Sequence, residues 1–125
     1  MNRARIGLFC VVMVLATFSL SFAGNYSNNE YVEAIYKAEG GKKAKKPYGI
    51  LSVPCNTKKE CRQICYNTVR NNKKRYKEYG HKQYDTYLEF LASRYAPVGA
   101  SNDPTNLNKN WIKNVKYFLK KGSAK

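Results

Sequence analysis

Glu39 is the residue of this chain best placed to do chemistry. Val32, Ile35, Tyr36 and Glu39 fall at i, i+3, i+4 and i+7, so the carboxylate continues the face that the three apolar residues turn toward a core. Two glycines, Gly40 and Gly41, follow at once and end the helix, which puts Glu39 in its last turn. Unpaired carbonyls there form the negative end of the helix dipole, and burial adds to the cost of ionisation. Both effects raise the pKa, as a general acid requires. Lys37, Lys42, Lys43, Lys45 and Lys46 would act the other way if their ammonium groups came close, but their long stems can keep the charge in water. The competing reading is a solvent-facing Glu in a frayed turn.

Other candidates are more diffuse. Asn67, Arg70, Asn71 and Asn72, with Thr68, sit in the middle of a long helical segment, where they either line something wet or form a solvated surface. The chain has 11 tyrosines and one tryptophan, more aromatic surface than a small core needs. Aromatic faces beside amides and guanidinium groups are how proteins hold sugar rings, and the same mixture binds single-stranded nucleic acid. Trp111 is expected in the core. Arg94 and Tyr95, just before Pro97, read either as a helix-ending anchor or as site residues. His81, the only histidine, has no evident partner and gives no Ser-His or Cys-His nucleophile system.

Four helices must position these groups. Ser27 with Glu30 forms a capping box that opens the first, and Thr57 with Glu60 opens the longest, over about residues 58–79 and closed by Gly80. The inner face of the longest is Cys61, Ile64, Cys65, Thr68, Asn72, Arg75 or Tyr76, and Tyr79. A third helix is expected over about 83–95, with Tyr84, Tyr87, Leu88, Leu91 and Tyr95 inside, stopping before Pro97. Asn108 is expected to cap a fourth over 109–121 that buries Trp111, Val115, Phe118 and Leu119 and ends at Gly122. Between the first two, Lys42 to Lys46 is a basic loop. Pro47 to Pro54 then reads as a short extended or hairpin-like excursion near 46–53, because prolines at both ends forbid a helix. The fold class is mainly α, with one small β-like element.

Residues 1–23 read as a signal peptide: Arg3 and Arg5, an apolar run from Leu8 to Leu20, and Ser21, Phe22 and Ala23 before the cleavage point. The run is shorter than the roughly 20 residues of a membrane-spanning helix, so stable membrane insertion is not expected. Residues 24–125 would form one small domain, expected to be a monomer. Removing Arg3 and Arg5 with the signal peptide takes the formal charge from +15 to +13, which still calls for an acidic partner such as an anionic cell wall, a lipid surface, a glycosaminoglycan or nucleic acid. After cleavage Cys55, Cys61 and Cys65 remain. In an oxidising compartment that count implies one disulfide and one thiol, or an intermolecular bond, with Cys55 the partner of either helix cysteine. With His81 they would make a Cys3His set, but C-x5-C-x3-C fits no common zinc site, so neither metal nor cofactor is expected.

The run Ala38-Glu39-Gly40-Gly41, a basic loop and Pro47-Tyr48-Gly49-Ile50 resembles the lysozyme-like superfamily. It is similar to the E-G-G…Y-G-I signature of phage-type N-acetylmuramidases and to the E-S-G…G-L-M-Q signature of lytic transglycosylases, over Ile35 to Ile50. The resemblance implies a helix ending at a catalytic Glu39, a glycine-bearing hairpin after it, and a sugar cleft walled by Tyr48 and the backbone at Gly49. Asn67, Arg70, Asn71 and Tyr95 would then hold sugar or polarise Glu39.

A hydrolytic glycosidase ordinarily needs two carboxyl groups flanking the bond. The next acids after Glu39 are Glu60, Glu78, Asp85, Glu89 and Asp103, none of them in the excursion; Glu60 is committed to a cap and Glu89 is expected on an outer face. The resemblance therefore points to a lytic transglycosylase, which needs one Glu only, acting on peptidoglycan in the periplasm or outside the cell. A secretion or envelope complex is a candidate partner, and nucleic acid is not expected. The alternatives are a hydrolytic lysozyme and a non-catalytic cationic protein that binds cell wall or another polyanion.

Overall fold

The computed structural model describes residues 25–50 and 53–124; the segment read as a signal peptide lies outside them. Among the described residues the chain is mainly helical, with α1 Asn28–Ala38, α2 Lys58–Glu78, α3 Tyr87–Tyr95 and α4 Trp111–Ser123. Short 3-10 turns at Gly41–Lys43, Gly80–Lys82 and Leu107–Asn110 follow α1, follow α2 and precede α4.

The packing is centred on α1. Val32 and Ile35 are fully buried, with Tyr31 and Ala34 beside them. Each large apolar side chain so buried contributes about 1.5–3 kcal/mol. α1 packs most extensively on α4 and then on α2, while α3 bridges α2 and α4. Val69 and Cys65 from α2, Leu91 and Ala92 from α3, and Trp111, Val115 and Leu119 from α4 complete one apolar cluster.

Both expected capping boxes form. Ser27 accepts from the Glu30 N–H while Glu30 accepts from the Ser27 N–H at 2.6 Å, and Thr57 and Glu60 do the same for α2. Gly40, in the left-handed region at φ 99°, turns the chain out of α1, a conformation costly for any residue with a Cβ.

Three sequence-based expectations need correction. The third helix starts at Tyr87 and not near residue 83, because Thr86 and Glu89 form a third capping box and residues 83–86 are non-helical chain after the 3-10 turn at Gly80–Lys82. Tyr84 therefore precedes the helix, and Glu89 is a cap partner. The fourth helix starts at Trp111 without a side-chain cap and runs through Gly122. The Asp103 carboxylate instead accepts from the backbone N–H groups of Leu107 and Asn108, at 2.8 and 2.9 Å, and fixes the 3-10 turn that leads into the helix. Finally, Arg75 and Tyr79, the residue that ends α2, are exposed, while Tyr76, the alternative to Arg75, is half-buried; the buried residues of α2 are Cys61, Cys65, Val69 and Asn72.

No strand is assigned among the described residues, and residues 51 and 52, within the expected excursion, lie outside them. Lys46 to Gly49 form a turn closed by the Gly49 N–H to the Lys46 carbonyl at 2.9 Å. Cys55 pairs with Cys61, Cα to Cα 5.2 Å, which ties this segment to the first turn of α2 and leaves Cys65 as a buried thiol. The disulfide suits an oxidising, exported environment. No helix among the described residues is long and apolar enough to cross a membrane.

Candidate functional site

Glu39 is the residue at which α1 ends, its N–H still bonded to the Ile35 carbonyl. Its carboxyl is half-buried and held from two sides. From α4, the Trp111 indole N–H donates to Oε1 at 2.9 Å. From the turn after the basic loop, Gly49 presses its Cα against the carboxyl group: a Cβ there would lie 2.6 Å from the Glu39 Cδ. Gly49 also has φ +65°, so close approach and backbone conformation both demand glycine. Burial pushes the Glu39 carboxyl above its usual range, and the Trp111 hydrogen bond draws it partly back.

Behind this pair stands Tyr95, at the end of α3. Its ring stacks on Trp111 with centroids 5.3 Å apart. Its hydroxyl donates to the Tyr48 carbonyl and lies 3.6 Å from the Cys65 Sγ. Burial raises the Tyr95 phenol well above its ordinary value, so it stays a neutral donor. Burial likewise pushes the Cys65 thiol up to about 11, which makes it a packing group and not a nucleophile.

Glu39, Gly49 and Tyr95 line a cavity of about 360 Å³. Lys45, Lys46, Pro97, Asn102 and Asn108 line it as well, with Asn108 donating to the Pro97 carbonyl at 3.0 Å. Glu39 is the only carboxylate among the described lining residues. A polar, open cavity with one carboxyl whose pKa is raised, neutral amides and two ammonium groups has the groups to exchange a proton with a ligand oxygen and to hold an anionic or hydroxyl-rich ligand.

The expected site residues divide sharply. Glu39, Gly49 and Tyr95 come together. Tyr48 is 2% exposed, packs its ring 5.2 Å from that of Tyr36 and does not line this cavity; it accepts from the Tyr95 hydroxyl through its carbonyl and lines a second cavity. Asn67, Arg70 and Asn71 lie along α2 and do not line the cavity: Asn67 accepts from Gln63 at 3.1 Å, and Arg70 and Asn71 are exposed. His81 also differs from expectation, with Nδ1 3.0 Å from the Tyr76 carbonyl.

The tyrosine surplus goes mostly into packing. Tyr31 and Tyr87 meet edge to face at 5.1 Å, and Tyr76, Tyr79 and Tyr84 surround Phe90. Sequence reasoning missed Trp111 as the Glu39 partner and missed Lys45, Lys46, Asn102 and Asn108 as lining. For the asparagines a signal existed in the Asn/Asp/Pro-dense run from Asn102 to Asn108, which marks a built loop. Compared with protein-family models, curated proteins and solved structures, the chain finds no match.

Proposed function

We propose that this chain is an exported, peptidoglycan-cleaving lytic transglycosylase of the lysozyme-like kind, acting on bonds between N-acetylmuramic acid and N-acetylglucosamine with Glu39 as its one catalytic carboxyl. The observation that carries the reading is a half-buried carboxyl with a raised pKa on the wall of an open polar cavity that has no second carboxylate among its described lining residues. The helix that ends at Glu39 and the glycine turn against its carboxyl support the lysozyme-like resemblance.

In this mechanism protonated Glu39 gives its proton to the glycosidic oxygen as the C1–O bond breaks. The carboxylate then takes the proton of the muramic 6-hydroxyl, whose oxygen closes on C1 to form the 1,6-anhydro ring. Glu39 ends protonated as it began, and no water is consumed. The Trp111 N–H steadies the carboxylate form between the two steps.

Digestion of purified peptidoglycan by the full chain beside Glu39→Gln, with products read by mass spectrometry, tests this. Anhydromuropeptides are expected from the parent, and a rate lower by about 10²–10⁴-fold from the variant. Reducing ends, heavier by one water, would replace the proposal with hydrolysis. No product from either protein, with wall binding intact, would replace it with a cationic binding role.

A further inference from the structure

Two cavities share one rim. The second, of about 240 Å³, is lined by Tyr48, Ile50, Val53 and the Cys55–Cys61 bridge, and Lys45 and Lys46 line both it and the cavity that holds Glu39. Their neighbours in the basic loop, Lys42 and Lys43, line neither. Several other lysines have a use within the fold: Lys58 lies over the Tyr36 ring, Lys73 donates to the Tyr26 carbonyl and covers Tyr31, and Lys121 lies over Tyr117. Lys45 and Lys46 have no such aromatic seat and pair with no carboxylate among the described residues. The carboxyl that shares their cavity is engaged by Trp111 and covered by Gly49.

Two adjacent, exposed, unpaired ammonium groups at the edge of a sugar-sized cavity fit an anion carried by the ligand. Of the two sugars in peptidoglycan only muramic acid carries a carboxylic substituent, its lactyl ether. That carboxyl is free in a naked strand; in a peptide-bearing strand it is amide-linked to a stem that bears carboxylates of its own. We propose that Lys45 and Lys46 hold a carboxylate of the muramic residue beside the bond presented to Glu39, and so set which of the two alternating bonds is cut. This rests on the peptidoglycan reading above.

Binding separates the carboxylate site from turnover. Full-length Glu39→Gln protein, its Lys45→Gln/Lys46→Gln derivative, and a Lys113→Gln/Lys116→Gln derivative altered on exposed α4 are compared on three ligands. These are peptide-bearing glycan strands, amidase-stripped strands and a neutral N-acetylglucosamine oligomer. Loss of the loop pair is expected to weaken charged strands by about tenfold, the worth of two exposed ion pairs, and to leave the neutral oligomer within about twofold. The α4 pair is expected to leave the preference for charged strands in place. A loss confined to peptide-bearing strands assigns the carboxylate to the stem, a loss confined to stripped strands assigns it to the lactyl group, and a loss on both means that the pair takes whichever carboxylate the muramic residue carries. Unchanged affinities, an equal loss on the neutral oligomer, an equal loss from the α4 pair, or no measurable binding of any strand would overturn the proposal. The expected pattern in a protein that releases no product would overturn the catalytic reading alone, whereas anhydro products with unchanged affinities would overturn this one alone.

Discussion

Glu39 pays for its position with an ionisation penalty, and the sign of that penalty is measurable without any substrate. Its folded pKa lies above the unfolded value, so the folded state binds the proton more tightly. Stability is then unpenalised below the ordinary carboxylate range and falls as pH rises through the folded pKa. Glu39→Gln removes the charge and keeps an acceptor for the Trp111 N–H. Melting temperatures of parent and variant should agree near about pH 3 and separate by about pH 7, with the variant higher; parallel curves would mean the carboxyl is not held as described. Gly49→Ala tests the opposite wall. The new Cβ meets the carboxyl at 2.6 Å in a backbone conformation unsuited to alanine. About 1–3 kcal/mol of stability should be lost by denaturant titration, and the proposed wall cleavage should fall by about 10²-fold through displacement of Glu39. Glu39 itself was legible because helical periodicity and a glycine stop are local signals. Trp111 as its partner was not: the two residues are 72 apart in sequence, and no short-range pattern reports such a meeting.

At the scale of elements, local chemistry was readable wherever a capping box opened a helix, as at Ser27 and Thr57. The third box, Thr86 with Glu89, uses the same signal, but the tyrosines from Tyr84 onward suggested an earlier start. Tertiary packing explains the difference, since Tyr84 lies against Phe90, 5.7 Å between centroids, rather than one turn along a helix. The polar stretch of α2 shows the limit of periodicity: Asn72 is buried, while Arg70 and Asn71 beside it face water. The two possible partners of Cys55 shared a helix face, and only the path of the loop selects Cys61. Replacing Cys55 and Cys61 together by serine should cost about 2 kcal/mol for so short a loop, read as a lower denaturation midpoint. The same change frees the segment that carries Lys46 to Gly49 from its anchor on α2, so the proposed wall cleavage should fall by more than the stability loss accounts for.

At the scale of the whole molecule, the formal charge of +15, or +13 without Arg3 and Arg5 of the expected signal peptide, makes the proposed attraction to an anionic wall long-ranged and sensitive to salt. The bound fraction on sacculi should drop several-fold between about 0.05 and about 0.5 M salt as the screening length shortens from roughly 14 Å to roughly 4 Å. Salt-insensitive binding would place the affinity in the cavity alone. The mainly helical class was legible from composition and periodicity, and the arrangement of the helices around α1 was not, because it depends on which apolar faces meet.

The hydrogen bond from Trp111 to Glu39 joins the end of the first helix to the start of the last. A chain emerging N-terminus first exposes Glu39 long before α4 exists to meet it, and until then the carboxyl is an ordinary solvated one. Docking of the final helix removes that water and supplies the indole donor in one event. In the proposed enzyme the acid is thus armed last, and a chain still unfolded in transit has no means of cutting the wall it passes.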